Sequence, residues 1–204
     1  MYGYHRFGFD ILPLNKIPFT VRWFLGRKLL KSDVVLDLGC GPVSLLRFLK
    51  VRYSIGVDLF KPYLIEARRL STHSEFVMAN CTNLEFKERS FDVVLAFNII
   101  EHLDKQQGLE LIKKAKRWAR KAVILSIPNG FTPGIMFDDN PLQLHRAGYS
   151  VKELKKLGFQ VRGIGIKIPG YCRWHIVRGA TYPLRIITYW NPSLAYDLLA
   201  YWHC

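Results

Sequence analysis

The residues best equipped for chemistry sit where short apolar runs stop. Val34-Val35-Leu36-Asp37-Leu38 leads directly into Gly39-Cys40-Gly41-Pro42. Glycines between a strand and the next helix let a ligand come close to the backbone and use exposed N–H groups. The following run, Ser54–Asp58, closes on a carboxylate, and an acid in that place accepts hydrogen bonds from both hydroxyls of a ribose. A dinucleotide fingerprint needs a third small residue, Gly or Ala, three positions after the second glycine, where this chain has Ser44. Asp37, inside the turn, repels a pyrophosphate and suits a ligand that presents an ammonium group.

A second set lies further along. Glu101 and His102 follow the apolar run Phe91–Phe97 by a few residues, and His145 and Arg146 follow a turn-rich segment. Histidine exchanges protons near neutral pH, and arginine holds an anionic group through paired N–H donors. Each histidine has two readings: His102 as a base or as an orienting group for its own segment, His145 as a base or substrate ligand or as a tie within its loop. The cysteines Cys40, Cys81, Cys172 and Cys204 form no C-x-x-C pair and no Cys/His run with zinc-ligand spacing. The expectation is a reduced, cytoplasmic protein with no metal, in which small size explains Cys40 and Cys81 better than nucleophilic catalysis.

Elements that position these residues can be read from periodicity. Near-continuous apolar runs predict strands at Val34–Asp37, Ser54–Asp58, Phe76–Ala79, Phe91–Phe97 and Ala122–Ile127, alternating with helices at Val43–Leu49, Pro62–Leu70 and Gly108–Arg120. Ser150 and Glu153 read as a capping box opening a helix that stops at Gly158. Phe159–Ile166 and Ala195–Trp202 are the sixth and seventh strand candidates. Between them lies an insertion, 167–191, rich in aromatic and basic residues, including Tyr171, Trp174, Tyr182, Tyr189, Trp190, Arg173, Arg178 and Arg185. The alternation is that of an α/β domain with a mostly parallel sheet.

At these blocks the chain resembles the class I S-adenosylmethionine-dependent methyltransferases, from about Lys31 to Asn129 and more loosely to Ile166. Val34–Gly41 resembles the family's first motif, which wraps the methionine end of the cofactor. Gly56-Val57-Asp58 resembles the second, and Met78 through Phe86 the third, with Asn80 where an acid contacts the adenine amine. Phe91–Leu95 and Ile100–Leu103 resemble the fourth motif and its sequel. Leu144–Arg146 and Leu157–Phe159 resemble a C-terminal pattern of small-molecule members.

The resemblance implies a single-domain, Rossmann-like, seven-stranded sheet with its last strand antiparallel and helices on both faces. Residues 1–32 would form an N-terminal lid helix region with a helix over Ile17–Leu30, 33–129 the cofactor core, and 130–204 the substrate side. It implies S-adenosyl-L-methionine as cofactor, held by Asp37, Gly39, Cys40, Gly41, Asp58, Leu59, Asn80, Cys81 and Phe97. Glu101, His102 and His145 are then the catalytic candidates, and Arg146 and Tyr149 the substrate-binding ones. Two positions depart from the family: Val43 replaces a frequent glycine, and Asn80 accepts a hydrogen bond without the charge assistance of a carboxylate.

Composition narrows the acceptor. The 204 residues suffice for one domain, and 50% hydrophobic with 23% charged residues excludes a disordered chain, a collagen-like repeat or a polar linker. The formal charge of +14 is uneven: +5 over residues 1–32, +2 over 33–141 and +7 over 142–204. The excess falls on the segments that should face the acceptor. A small-molecule or lipid-linked, anionic or amphiphilic acceptor, methylated at O or N, is the leading expectation, with peripheral membrane contact left open. RNA is a less favoured acceptor, since Phe97-Asn98-Ile99-Ile100 lacks the Asn/Asp-Pro-Pro-aromatic run of base-amine methylation. A cofactor-binding protein without turnover is the third reading. The N-terminus lacks the pattern of a secretory signal, and Asn191-Pro192-Ser193 interrupts the one long apolar stretch, 186–204, so no membrane span is expected. The oligomeric state has no signature in the sequence.

Overall fold

A computed structural model of the chain describes residues 17–134, 136, 138–167 and 184–204. Seven strands form one sheet in the order β3-β2-β1-β4-β5-β7-β6. They are β1 (Val34–Leu38), β2 (Tyr53–Asp58), β3 (Glu75–Met78), β4 (Phe91–Phe97), β5 (Ala119–Pro128), β6 (Gln160–Ile164) and β7 (Asp197–His203). β1 to β5 pair in parallel, and β7 runs antiparallel to both β5 and β6. The central strands are apolar on both sides because both faces are covered.

One face is roofed by α3 (Lys105–Trp118) and α4 (Val151–Lys156), which bury Leu111, Ile112, Ala115, Trp118 and Leu154 against Leu36, Leu38, Val94 and Leu125. Ser150 and Glu153 form the expected capping box, satisfying two backbone donors reciprocally. On the other face α1 (Val21–Lys28) buries Phe24 and Leu25 against Val35, Val93, Leu95 and Ile124. The Thr20 hydroxyl caps α1 by accepting from the Trp23 N–H at 3.1 Å. The expected lid helix over Ile17–Leu30 is therefore shorter, and its apolar side covers the sheet. α2 (Lys61–Arg69) follows β2 with Pro62 in its first turn, where a missing N–H costs nothing. A fifth helix, α5 (Arg185–Trp190), lies inside the expected insertion, whose residues 168–183, with Tyr171, Cys172, Arg173, Trp174, Arg178 and Tyr182, fall outside the described part.

The helix expected over Val43–Leu49 is a 3-10 turn, Leu45–Phe48. The Ser44 hydroxyl caps it by accepting from the Leu46 N–H, and Leu46 is its buried side chain. The helical turn is bounded by extended residues on both sides, Ser44 as its cap and Leu49 after it, so it starts two residues later and ends one residue earlier than expected.

Candidate cofactor and acceptor site

The turn after β1 is built by two glycines in the left-handed region, Gly39 (φ 64°) and Gly41 (φ 59°). A Cβ on Gly39 would lie 2.8 Å from the Ile99 side chain, whereas one on Gly41 would meet nothing within 4 Å. Gly39 thus serves packing, and Gly41 faces open space. The Gly41 N–H donates to Asp58 Oδ2 at 2.9 Å and the Phe60 N–H to Asp58 Oδ1 at 2.8 Å. The carboxylate keeps acceptor capacity for a ribose hydroxyl. Burial, with a smaller push from Asp37, raises the Asp58 carboxyl above its ordinary range, and the backbone amides of Phe60, Gly41 and Leu59 pull it back. Leu59 is exposed next to Asp58. Phe97 is half-buried at the end of β4. This cradle fits S-adenosylmethionine: glycine backbone for the methionine end, Asp58 for the ribose, Leu59 for an adenine face.

Two positions differ from expectation. Asp37 is buried, and its Oδ2 accepts from Ser44 Oγ at 2.6 Å and faces His73 Nε2 at 3.1 Å. His73 in turn lies 2.8 Å from Thr72 Oγ1 through Nδ1. An ammonium group therefore meets a carboxylate already held by a hydroxyl and an imidazole. Asn80, expected at the adenine amine, caps the turn Cys81–Asn83: its Oδ1 accepts from Thr82 N at 3.0 Å and lies 2.9 Å from Thr82 Oγ1, whose one proton also has Asn83 Oδ1 at 3.2 Å. Cys40 and Cys81 are buried, and burial raises both thiols, that of Cys81 to about 11, so they stay protonated near neutral pH.

Glu101 and His102 sit in the 3-10 turn Ile100–His102 after β4. The Glu101 carbonyl accepts from the N–H groups of Arg146 at 2.7 Å and Ala147 at 3.0 Å, which brings His145 to His102 across 43 positions. Their rings meet edge to face with centroids 4.8 Å apart. Nδ1 of His145 lies 2.6 Å from the Thr132 carbonyl, and Nδ1 of His102 lies 3.3 Å from that of Leu144. Burial, with His145 beside it, holds His102 below the ordinary imidazole range against the opposing pull of nearby carbonyls. Arg146 is exposed, with Nη1 3.7 Å from Asp104.

Tyr149, expected to touch substrate, belongs to the core instead. It is 1% exposed, the Lys105 ammonium stands 3.8 Å over its ring, and Gly108 of α3 leaves room for its hydroxyl. Burial and the neighbouring Glu101 and Glu153 push that hydroxyl up to about 12. In the expected insertion, Tyr189 and Trp190 join Phe19, Trp23, Arg27 and Arg162 around a cavity of about 230 Å³ on the β6–β7 side of the sheet, three strands from β1.

Sequence reasoning missed His73, Ser44 and Thr132. One signal existed for His73: glycine inside a strand marks a close approach, and a Cβ on Gly56 of β2 would lie 2.8 Å from its ring.

Known proteins share this arrangement. Residues 36–127 match the family described as "Methyltransferase domain". An uncharacterized protein of Methanocaldococcus jannaschii is 24% identical over 157 residues, covering 74% of this chain and 64% of that protein. A phosphoethanolamine N-methyltransferase of Triticum aestivum is 26% identical over 155 residues, 72% of this chain and 31% of the enzyme. A probable tRNA methyltransferase 9B of Bos taurus is 30% identical over 87 residues, 42% of this chain and 19% of that protein. The chain thus spans less than two thirds of each of these relatives. The crystal structure of an S-adenosylmethionine-dependent methyltransferase from Mesorhizobium loti superposes with a TM-score of 0.60 at 15% identity, covering 90% of this chain and 97% of that one. Residues 36–127 thus match a methyltransferase domain, and the fold is that of solved S-adenosylmethionine-dependent methyltransferases.

Proposed function

We propose that the chain methylates a small-molecule or lipid-linked acceptor that combines an anionic group with an apolar body, at an oxygen or a nitrogen. The observation that carries this reading is the surroundings of the two histidines. The chain segments that carry or contact the histidines, around Phe131–Thr132 and Leu142–Arg146, expose the apolar side chains of Phe131, Leu142 and Leu144 and the cation Arg146. An amphiphilic acceptor matches that combination, with Arg146 on its anionic group. The wheat relative, by name a phosphoethanolamine methyltransferase, supports it.

S-adenosylmethionine supplies an electrophilic methyl group on a sulfonium. The chain's task is to align the acceptor and exclude water. Asp58 and the glycine turn hold the cofactor. His102, neutral at physiological pH because burial lowers its basicity, or His145 takes the proton from a hydroxyl or amine acceptor. A carboxylate acceptor needs no base. Among the described residues no helix is long and apolar enough to cross a membrane. Contact with a lipid surface through the basic C-terminal third is part of the proposal.

The second reading, RNA methylation, rests on the likeness to the probable tRNA methyltransferase and on the same excess of positive charge. The test is methyl transfer from labelled S-adenosylmethionine to cell extract split into lipid, small-molecule and RNA fractions. Label in the RNA fraction alone overturns the proposal, and label in neither of the other two fractions does so as well.

A further inference from the structure

We propose that Glu101, His102 and His145 bind a divalent first-row transition ion at the acceptor end of the cleft. One donor atom from each residue lies within 4.8 Å of the others. Two imidazoles and one carboxylate suit ions of borderline softness and leave further coordination positions open.

Second contacts prepare both rings. A carbonyl oxygen only accepts, so the 2.6 Å contact with Thr132 places the proton of neutral His145 on Nδ1 and leaves the lone pair on Nε2. The contact of His102 Nδ1 with the Leu144 carbonyl works in the same sense. Backbone carbonyls hold metal-binding histidines in this way, fixing tautomer and orientation. Glu101 is 2% exposed and carries a carboxylate into the same place.

The frame is main chain. The Glu101 carbonyl receives two amides of the Arg146–Ala147 segment, and a Cβ on Gly134 would lie 2.9 Å from the His145 ring, so the loop around His145 is set closely. Bond lengths of about 2.1 Å place neighbouring donors roughly 3.0–3.4 Å apart. Closing from the observed separation needs side-chain rotations, and both histidines are only half-buried.

The role assigned to the ion rests on the methyl-transfer reading; its binding does not. In the metal-free chain the histidines remain the proposed bases; with an ion bound to their lone pairs, Glu101, His102 and His145 would hold it where it would lower the pKa of a hydroxyl acceptor.

The test uses the full chain, stripped of metal, titrated with Mn2+, Co2+ or Zn2+ alone in a calorimeter. The expected result is one ion per chain, with affinity falling at least tenfold in His102→Ala and in His145→Ala while S-adenosylhomocysteine affinity stays within twofold. Binding that survives in the double variant, or no binding in the parent chain, overturns the proposal. A readout free of variants is the imidazole nitrogen spectrum: Zn2+ should move the Nε2 signals of His102 and His145, and unmoved signals overturn it. Ion binding with no methyl transfer to any fraction would count against the proposed function and leave the ion site standing.

Discussion

Gly41 donates its backbone N–H to Asp58 Oδ2 at 2.9 Å, tying the glycine turn after β1 to the acid that ends β2. The glycine proposed to approach the cofactor and the acid proposed to hold its ribose are therefore one unit. Asp58→Asn removes an acceptor from this unit and turns an amide donor toward a backbone N–H. S-adenosylhomocysteine should bind at least tenfold more weakly, about 1.4 kcal/mol, as measured by calorimetry. In the parent chain, affinity should fall on acidification at a pH above the usual aspartate range, because burial raises this carboxyl and the ribose hydroxyls need it ionised. Equal affinity at pH 7 and pH 4 contradicts the assignment.

Asn80 offers a gain. Its Oδ1 already accepts from the Thr82 N–H and lies within reach of the Thr82 hydroxyl, so it has little capacity left for the adenine amine. Asn80→Asp keeps the cap on one oxygen and frees the other with a charge. Cofactor affinity should rise severalfold, worth about 1 kcal/mol. An unchanged or weaker dissociation constant would remove Asn80 from the adenine site.

Gly56 exists for His73. Gly56→Ala drives a methyl group into the imidazole that faces Asp37 and should cost about 1–3 kcal/mol in urea unfolding. Adding His73→Ala to it should recover part of that loss. If the double variant is less stable than Gly56→Ala by the full cost of His73→Ala alone, the two residues do not share this space.

Glu153 links α4 to α3 through Lys105 at 2.7 Å and caps its own helix through Ser150. The Lys105 ammonium, then the Ser150 donors, hold its carboxyl down at about 2. A depressed acid contributes stability above its unfolded pKa and loses it as pH falls from about 4.5 toward 2. Glu153→Gln should therefore lower Tm at pH 7 and flatten its decline between pH 5 and pH 3. Glu153 is half exposed, so the effect stays below about 1 kcal/mol. Parallel Tm curves for parent and variant would sink this account.

At the acceptor end, His145→Ala should reduce turnover at least tenfold with S-adenosylhomocysteine affinity unchanged. The rate should fall on acidification only at a pH below 6.5, since burial keeps His102 from protonating at the ordinary imidazole value. A fall centred above 6.5 contradicts this. Arg146→Ala should raise KM for an anionic acceptor more than it lowers kcat.

The sequence made local patterns legible and hid distant meetings. β4 spans Phe91–Phe97 as its apolar run indicates, and the Ser150–Glu153 box opens α4, because both are decided within a few residues. The glycine turn and Asp58 were readable for the same reason. The partners of Asp37 were not: His73 arrives from 36 positions away, into space that one glycine leaves. Tyr149 is a substrate candidate only by resemblance, and its packing on α3, which local sequence does not reveal, buries it. The helix over Val43–Leu49 shortened to a 3-10 turn, since the Ser44 side chain caps at Leu46 and the backbone is extended again at Leu49.

The tie between the Glu101 carbonyl and the amides of Arg146 and Ala147 involves no side chain. That join persists whichever residues stand at 102, 145 and 146, although the histidines there add side-chain contacts of their own to the carbonyls of Leu144 and Thr132. Under the proposed reading, a lineage can exchange those three residues, and with them its substrate, as fittings on a fixed mount.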